Sequence, residues 1–306
     1  MDRLDELATF LAILDTGSLA AAGRRLRRSP PAVTRSLAGL EQRLGLRLLE
    51  RTTRRLKPTD AGRRFAEQAR GLLTGYDALV AEAAGAADAP SGLLRVTAPV
   101  VFGRKHVAPI VGGFLGLFPA VRVELVLSDR NLDLIEESLD AAVRIGRLAD
   151  SALMVRQVGA VRRVLVASPA YLAARGTPER VEDLAAHDTI LAASRPAPPE
   201  WRFRAGDGRR ERVARLAPRL IANDIEAALT VARVGGGIAS ALSYQVAEDV
   251  ASGSLVRLLA AHEPPPLPVQ LVMPNTRYRA PRVRAFLDYA ASALGAVQAL
   301  HEEDRR

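Results

Sequence analysis

Apolar residues recur at helical spacing through the first 44 positions of the chain. A first stripe predicts a helix that ends near Gly17, and its members are Leu4, Leu7, Phe10, Leu11 and Leu14. Ser18 can cap a second helix that reaches Leu26, because its hydroxyl can accept an unpaired N–H of the first turn. A third stripe follows the basic break at residues 27–28 and comprises Val33, Leu37, Leu40 and Leu44.

The third predicted helix begins at Ser29 and shows a polar, basic outer face. Ser29 is a natural N-cap, and the prolines after it are tolerated because the first helical N–H groups have no partner inside the helix. The outer face carries Thr34, Arg35 and Ser36. Two short helices with a tight break indicate a helix-turn-helix, in which the second helix enters the DNA major groove. An αα-hairpin whose charges merely face water is the alternative.

Positive charge is concentrated in this N-terminal part of the chain. The stretch from Leu46 to Thr59 is typical of the small hairpin of a winged helix, with Arg51, Arg54 and Arg55 placed to meet phosphates. Residues 1–70 hold 15 Arg and Lys against 8 Asp and Glu, so +7 of the net charge of +9 lies there. Such a distribution indicates a nucleic-acid binder. Binding to an anionic membrane is the competing explanation, but the helices lack a Trp- or Phe-rich apolar face.

A long helix follows the predicted hairpin, and Thr59 can cap it. Its apolar residues follow a 3.5-residue repeat and are Phe65, Ala69, Leu72, Tyr76, Leu79 and Ala83. This repeat is typical of a seam between helices, so we expect a two-fold dimer that places two recognition helices on neighbouring half-sites. A helix packed on its own domain is the alternative. Residues 85–92 are small, polar and punctuated by Pro and Gly, which predicts a hinge.

Beyond residue 92 the pattern changes to alternating strands and helices, which predicts mainly parallel sheets covered by helices. Strands are predicted at Leu93–Thr97, Val121–Leu127, Ala141–Ile145, Arg163–Ala167, Ile238–Leu242 and Val269–Met273. Helices are predicted at His106–Phe118, Leu132–Leu139, Pro169–Ala174, Asp224–Val234, Tyr244–Ala251 and Pro281–Leu294. Trp201 is expected to be a packing residue near the rim of this half.

A ligand of an open α/β sheet binds outside the carboxyl ends of the strands. The first strand here ends just before a helix, whose free N–H groups and positive dipole suit a carboxylate or another anion. The candidate residues lie at the ends of predicted strands and in the turns beside them, and are Ala98, Pro99, Val100, Val101, Phe102, Ile145, Gly146, Asn223, Asp224 and Gly237. The alternative is that Ala98-Pro99 is a tight turn and Asn223-Asp224 only a helix cap.

Several other classes of protein find little support in the composition. The chain has 306 residues, 48% of them apolar, and no cysteine, which excludes disulfides and thiolate metal sites. Its four histidines lack metal-ligand spacing, and no nucleophile elbow, P-loop or dinucleotide fingerprint is present. We therefore expect no catalytic residue, no metal and no cofactor. With no export signal or transmembrane stretch, the protein is expected to be soluble and cytoplasmic.

The run GSLAAAGRRL…SPPAVTRSLAGLEQRLGLRLLERTTRRLKPTDAGRRF resembles the N-terminal domain of LysR-type transcriptional regulators. The resemblance continues through LRVTAPVVFGRKHVAPIVGGF and SDRNLDLIEESLDAAVRIGRL to VRAFLDYAASAL. It implies a multidomain α and α/β fold. The expected parts are a winged helix-turn-helix at 1–59, a linker dimerisation helix and hinge at 60–91, and an effector domain at 92–306. That domain is expected to resemble periplasmic binding proteins, with lobe I at 92–164 and 268–295 and lobe II at 165–267.

The resemblance also implies which residues contact DNA. They are Ser18, Arg28, Ser29, Pro31, Ala32, Thr34, Arg35, Ser36, Arg51, Arg54 and Arg55, with Thr34 and Arg35 nearest the bases. Pro30 departs from the family, which usually has a polar residue, often Gln, at that position.

The function implied is a sequence-specific DNA-binding transcriptional regulator that acts as a dimer or tetramer. A small-molecule effector between the lobes would modulate its promoter binding or activation, and RNA polymerase would be a partner if it activates. The effector cleft of the family uses the stretches named above. The alternative function is a small-molecule binding protein without a regulatory role on DNA.

Overall fold

The computed structural model describes residues 2–51, 56–83, 89–148, 153–193, 198–204, 211–275 and 280–300. These residues form a helical N-terminal domain with a small hairpin, a long helix, and two five-stranded sheets that carry further helices.

Three helices and an antiparallel hairpin build the N-terminal domain. They are α1 (Arg3–Thr16), α2 (Leu19–Leu26), α3 (Pro30–Leu44), β1 (Leu49–Arg51) and β2 (Leu56–Pro58). The predicted apolar stripes face one core, in which Phe10, Val33 and Leu40 are almost fully buried. Ser18 caps α2 as predicted, because its hydroxyl accepts the N–H of Ala21 at 3.4 Å. Gly17 ends α1 in the left-handed conformation, which glycine adopts without steric penalty.

The long helix α4 (Asp60–Ala83) begins next to Thr59, whose hydroxyl accepts the N–H of Gly62 at 2.9 Å. The first turns of α4 pack on the core of the N-terminal domain. The ring centroids of Phe65 and Phe10 lie 5.8 Å apart, and Ala69 is buried in the same core. The prediction that Phe65 and Ala69 line a dimer seam is therefore wrong, because this part of the repeat packs on its own domain.

The surface of α4 changes beyond these first turns. Leu72 and Tyr76 are 55% and 47% exposed and lie four residues apart, on one face of the helix. The side chains of Leu79 and Ala83 lie outside the described residues, as do residues 85–88 of the predicted hinge. The prediction of a dimer seam therefore applies only to the second half of the helix.

The C-terminal half contains two lobes. Its strands are β3 (Gly92–Ala98), β4 (Val121–Leu127), β5 (Ala141–Ile145), β6 (Leu153–Val161), β7 (Arg163–Ala167), β8 (Thr189–Ala192), β9 (Glu200–Arg204), β10 (Glu211–Arg215), β11 (Leu220–Ala222), β12 (Ile238–Leu242), β13 (Val256–Leu258) and β14 (Leu267–Pro274). Its helices are α5 (Val100–Phe102), a π-helical turn (Gly103–Val107), α6 (Ala108–Leu117), α7 (Pro169–Arg175), α8 (Ile225–Arg233), α9 (Ser243–Ser252) and α10 (Pro281–Gly295), with short 3₁₀ turns at Val181–Ala186, Ala260–His262 and Gln298–Leu300.

Both sheets are mixed. The first has the order β4-β3-β5-β14-β6, and the second has the order β11-β8-β12-β7-β13. Strands β4, β3 and β5 are parallel, as are β11, β8 and β12. The prediction of mainly parallel sheets is therefore only half right, because β14, β6, β7 and β13 run antiparallel to their neighbours. Strand β6 leads out of the first sheet into β7 of the second, and β14 returns.

The predicted helix at residues 132–139 is wrong, since this segment forms a turn. Leu134 and Leu139 are buried beside Ala142 and Val272, so their helix-like spacing reflects packing of the turn. Ser138 has a φ of 57°, which a regular helix does not contain. The short strands β8 to β11 and β13 were not predicted, because three to five residues carry little periodicity. Trp201 is buried on β9 and is a packing residue, as expected.

Candidate functional site

The break between α2 and α3 depends on a close approach at Gly23. The N–H of Arg28 donates to the carbonyl oxygen of Gly23 at 2.8 Å. A Cβ at position 23 would lie 2.8 Å from the carbonyl oxygen of Arg28, so a side chain there would force the turn open. The guanidinium of Arg28 pairs with Asp5 of α1 at 2.8 Å. The turn is thus tied to α1, which fixes the direction of α3.

The first turns of α3 present the outer face that the sequence predicts. Ser29, Pro31 and Arg35 are exposed, and Ala32 and Thr34 are half-buried. The hydroxyl of Thr34 donates to the carbonyl oxygen of Pro30 at 3.0 Å, so its lone pairs remain for an outside donor. Arg35 has neither an ion pair nor a hydrogen-bond partner for its guanidinium among the described residues. An exposed, unpaired guanidinium at the start of such a helix suits a base edge or a phosphate.

Ser29 stands at the N-cap of α3, but its hydroxyl makes no capping hydrogen bond with any described residue. The prediction that this hydroxyl caps the helix is therefore wrong. Prolines at the first two helical positions supply no N–H group, and the N–H of Ala32 donates to the carbonyl oxygen of Ser29 at 2.9 Å. The hydroxyl of Ser29 therefore stays available at the surface.

Ser36 does not belong to this outer face. Its side chain is fully buried, and its hydroxyl has no hydrogen-bond partner among the described residues. Position 36 lies three residues after the core residue Val33, which brings it to the inner face of the helix. The predicted contact between Ser36 and DNA is therefore wrong.

The hairpin next to α3 is held at its base. The Oε1 atom of Glu41 accepts the N–H groups of Leu48 and Leu49 at 2.7 and 3.1 Å. The hydroxyl of Thr59 donates to the carbonyl oxygen of Arg47 at 2.8 Å. These hydrogen bonds fix the direction in which the hairpin extends from the end of α3. The side chain of Arg51 and the whole of Arg54 and Arg55 lie outside the described residues, so their phosphate contacts stay predictions.

A cavity of about 330 Å³ lies between the two lobes of the C-terminal half. Four of the residues predicted from the sequence line it, namely Ala98, Pro99, Ile145 and Asn223. They come from the ends of β3, β5 and β11, where the rule for α/β sheets places a ligand. The volume is at the small end of the range for ligand sites, which favours a small molecule.

The helix N-terminus after β3 is already occupied by a carboxylate of the chain. The N–H of Val100 donates to Oδ1 of Asp129 at 3.0 Å. An anion stabilises a helix N-terminus, and here the protein supplies it. One N–H group of the place that the sequence predicts for an effector carboxylate is therefore already bound by the protein.

Val101 and Phe102 do not form the predicted apolar wall of the cavity. Both are buried in the core of the first lobe. The ring of Phe102 packs edge-on against Tyr244 of the second lobe, with centroids 5.2 Å apart. Burial raises the pKa of the Tyr244 phenol above its ordinary value, so the group is neutral at pH 7. These side chains join the two lobes.

Three further residues that were predicted to bind the effector are not among the described residues that line the cavity, and each has a structural role. The N–H of Gly146 donates to the carbonyl oxygen of Pro268 at 2.9 Å. Asp224 caps α8, because its Oδ1 accepts the N–H of Ala227 at 2.8 Å. Gly237 has a φ of 141°, and a Cβ there would lie 2.5 Å from the carbonyl oxygen of Asp188. Asp224 thus caps a helix, as both interpretations of the sequence require, and its contact with an effector stays a prediction.

The cavity contains polar side chains that the sequence analysis missed. They are Ser128, Asp129, Arg130, Asn131, Arg144, Arg163, Ser240, Tyr244 and Gln245. The first four directly follow β4, and the rule for the carboxyl ends of parallel strands could have found them. No local signal marks Arg163 or Ser240, because only the pairing of β7 with β12, strands far apart in the chain, brings them together.

The lining carries a net positive charge, because its described residues include three arginines and one carboxylate, that of Asp129. Arg144 donates to the carbonyl oxygen of Leu132 at 2.6 Å. Arg163 has no partner among the described residues. Although Arg163 is open to solvent, the walls of the cavity surround it closely enough that desolvation lowers the pKa of its guanidinium. It remains charged at pH 7, because the ordinary pKa of arginine lies above about 12.

Two further kinds of site were sought over the described ranges. No group of three or more His, Asp or Glu side chains is placed to hold a metal ion. No helix there combines the length and the apolar character that crossing a bilayer requires.

Known proteins match the chain over nearly its whole length. The family model described as a bacterial regulatory helix-turn-helix protein, lysR family, matches residues 4–63. The model described as the LysR substrate binding domain matches residues 87–295. The HTH-type transcriptional regulator PtxR of Pseudomonas aeruginosa is 34% identical over 294 residues, which cover 96% of this chain and 93% of that protein. CrgA of Neisseria meningitidis serogroup C is 32% identical, over 95% and 97%.

Solved structures give the same result. CrgA, a LysR-type transcriptional regulator from Neisseria meningitidis, superposes with a TM-score of 0.61 at 31% identity, over 95% of this chain and 98% of that one. The full-length virulence activator AphB of Vibrio cholerae superposes with a TM-score of 0.61 at 27% identity, over 95% and 99%. One helix-turn-helix match and one effector-domain match therefore account for both halves of the molecule. The chain belongs to the LysR family of transcriptional regulators, with a helix-turn-helix and an effector-binding domain.

Proposed function

We propose that this regulator reads operator DNA with the first turns of α3. Thr34 and Arg35 would meet base edges in the major groove, and Pro31 and Ala32 would contact the same groove. Ser18, Arg28, Ser29, Arg51, Arg54 and Arg55 would contact the phosphate backbone, where Arg28 would share its charge with Asp5. The exposed, unpaired guanidinium of Arg35 on a helix fixed by the turn at Gly23 is the observation that carries this proposal.

DNase protection of the DNA just upstream of the gene, at two salt concentrations, tests this function. We expect a protected site with near two-fold symmetry whose affinity falls as salt rises, because phosphate contacts release counterions. Absence of protection at low salt would contradict DNA binding there and would favour a small-molecule binding protein.

The exposed face of α4 supports a dimer. Leu72 and Tyr76 would pack against the same helix of a second copy, and the repeat would continue through Leu79 and Ala83. A two-fold dimer would set two α3 helices on neighbouring half-sites. The sequence and these contacts are compatible with both a dimer and a tetramer. Sedimentation of the full chain measures the oligomeric state.

An effector in the cavity would bias the arrangement of the two lobes. Two contacts between the helical segment after β3 and helix α9 already join them: Phe102 packs on Tyr244, and Lys105 pairs with Glu248 at 3.1 Å. A ligand shifts such an equilibrium only by its difference in affinity for the two arrangements. The footprint on DNA is expected to change in length or bending when effector binds.

Asp15 offers a route from the effector domain to the DNA-binding domain. Its carboxylate, 15% exposed, lies 3.1 Å from Arg25 of α2, 3.0 Å from Arg70 of α4 and 3.8 Å from Arg95 of β3. Arg95 also pairs with Glu124 of the first lobe at 2.9 Å. One acidic group thus contacts the helix-turn-helix, the linker helix and the first lobe, and movement of that lobe would reach α2 through it.

Asp15→Asn is expected to destabilise the contact between the domains by about 1–3 kcal/mol, since three guanidinium groups lose their shared counter-charge. The thermal midpoint of the full chain would fall by several degrees, and less so at high salt. Asp288→Asn is the matched control, because its pair with Arg156 is more than half exposed on both sides. Equal midpoints for the two variants would contradict this assignment.

The remaining features follow from the family and are proposals for this chain. We place the helix-turn-helix at 1–59, the linker helix and hinge at 60–91 and the effector domain at 92–306, with lobe I at 92–164 and 268–295 and lobe II at 165–267. The protein would act in the cytoplasm, where its DNA lies, without catalysing a reaction or using a cofactor. RNA polymerase would be its partner if it activates transcription.

A further inference from the structure

The cavity between the lobes contains a cation without a counter-charge. Arg163 begins β7 and lines the cavity, and the described part of the chain gives it neither an ion pair nor a hydrogen bond. Two of the other charged groups of the lining are engaged, since Arg144 donates to Leu132 and Asp129 accepts from Val100. Arg130 and Arg163 are both exposed, but Arg130 stands on the turn after β4, whereas Arg163 lies in the strand pair that also carries Ser240. A guanidinium held among protein walls without a partner favours an anion from outside.

A second polar group beside Arg163 also lacks a partner. Ser240 is 9% exposed, lines the same cavity, and its hydroxyl has no hydrogen-bond partner within the described residues. In the antiparallel pair of β7 and β12, Arg163 stands opposite Leu242, and Ser240 lies two residues further along β12. Side chains two residues apart on a strand share one face, and a long side chain spans that diagonal. The Ser240 hydroxyl and the Arg163 guanidinium can therefore donate to the same group.

The rest of the lining limits what that group can be attached to. Apolar side chains line the cavity from both lobes, among them Ile145, Leu267 and Ala192. The guanidinium of Arg163 balances one negative charge, and its fork matches the two oxygens of a carboxylate. The cavity volume of about 330 Å³ leaves room for a short chain or a single ring.

We infer that the effector of this regulator is a small monocarboxylate with an apolar body, whose carboxylate is bound by Arg163 and Ser240. The inference rests on the proposed function, because it takes the interlobe cavity to be the effector site. The bound anion is thus placed at Arg163 and not at the helix N-terminus after β3, where Asp129 already accepts the N–H of Val100.

Thermal unfolding of the full chain tests this inference with cyclohexanecarboxylate as the probe. At about 10 mM the carboxylate is expected to raise the midpoint of the wild type, since a ligand that binds only the folded state stabilises it. Its neutral amide, cyclohexanecarboxamide, and inorganic phosphate are expected to have little effect. Arg163→Gln should weaken the carboxylate at least about tenfold, and Ser240→Ala by a smaller factor.

Two further variants control for the fold and for charge. Arg122→Gln removes an exposed arginine of β4 and should respond to the carboxylate as the wild type does. Without ligand, Arg163→Gln should unfold at the wild-type midpoint or above it, because it removes an uncompensated charge. Arg163→Lys keeps the charge without the fork and should bind with intermediate affinity, which preserves the test if the Gln variant fails to fold.

Several outcomes would overturn the inference. These are no response of the wild type to the carboxylate, equal stabilisation by carboxylate and amide, a response to phosphate alone, and a wild-type response in the Arg163 variants. Gel-shift binding of the wild type and Arg163→Gln to the upstream DNA separates this failure from that of the proposed function. If both bind DNA, only the effector class is wrong, whereas loss of binding by the wild type contradicts the regulator itself.

Discussion

Arg35→Ala is expected to weaken operator binding by about 1–3 kcal/mol, or roughly 5- to 150-fold, and to relax sequence specificity at one position of each half-site. The physical reason is the placement of Arg35, which is exposed on the first turns of α3 beside a turn fixed through Gly23 and Arg28. A competition gel shift with operator variants at each base pair measures both effects.

Arg54→Ala provides the contrast for this experiment. A phosphate contact carries no sequence information, so this variant should weaken all DNA sequences to a similar extent and lower the salt dependence. Arg122→Ala, in the effector domain, should leave DNA binding unchanged. Wild-type affinity in Arg35→Ala would show that another face of α3 enters the groove.

Gly62→Ala is expected to destabilise the N-terminal domain by about 1–3 kcal/mol and to reduce DNA binding. A Cβ at position 62 would overlap the carbonyl oxygen of Leu48, which is backbone and cannot rotate away. Leu48 is fully buried and leads into β1, so the start of α4 and the hairpin would have to separate. Circular dichroism during thermal unfolding, together with a gel shift, measures the change.

Gly71→Ala is the matched control in the same helix. A Cβ at position 71 meets no atom within 4 Å, so the substitution should stabilise α4 by up to about 1 kcal/mol through helix propensity. The two variants make the same chemical change in one helix, and only the position of Leu48 separates them. Equal effects of both substitutions would contradict the packing described for Gly62.

The local pattern of the chain predicted the helices of the DNA-binding domain with good accuracy. Apolar stripes at helical spacing and the caps at Ser18 and Thr59 are properties of neighbouring residues, so they are readable without the fold. The same local view failed at Ser36, which looked polar and outward but is buried. It also failed at residues 132–139, where leucines at helical spacing pack from a turn.

The seam on α4 shows how one repeat serves two partners. Phe65 and Ala69 follow the 3.5-residue repeat but pack on Phe10 and its neighbours, whereas Leu72 and Tyr76 remain exposed. Spacing alone predicts an apolar face and does not say what covers it. The distance of each turn from the N-terminal core, a property of the tertiary structure, separates the two halves.

The sequence by itself determined the family, the basic helix-turn-helix, the helices around it and the α/β character of the effector domain. Each of these depends on residues near one another in the chain. The chemistry of the cavity was decided only by the tertiary structure, because Arg163, Ser240 and Asp129 lie far apart in sequence. Pairing of β7 with β12 sets Arg163 near Ser240, and the crossover between the lobes brings Asp129 to the same cavity. The physical reason is that charge balance is set by which groups are close in space, and only long-range strand pairing and the crossover bring these groups together.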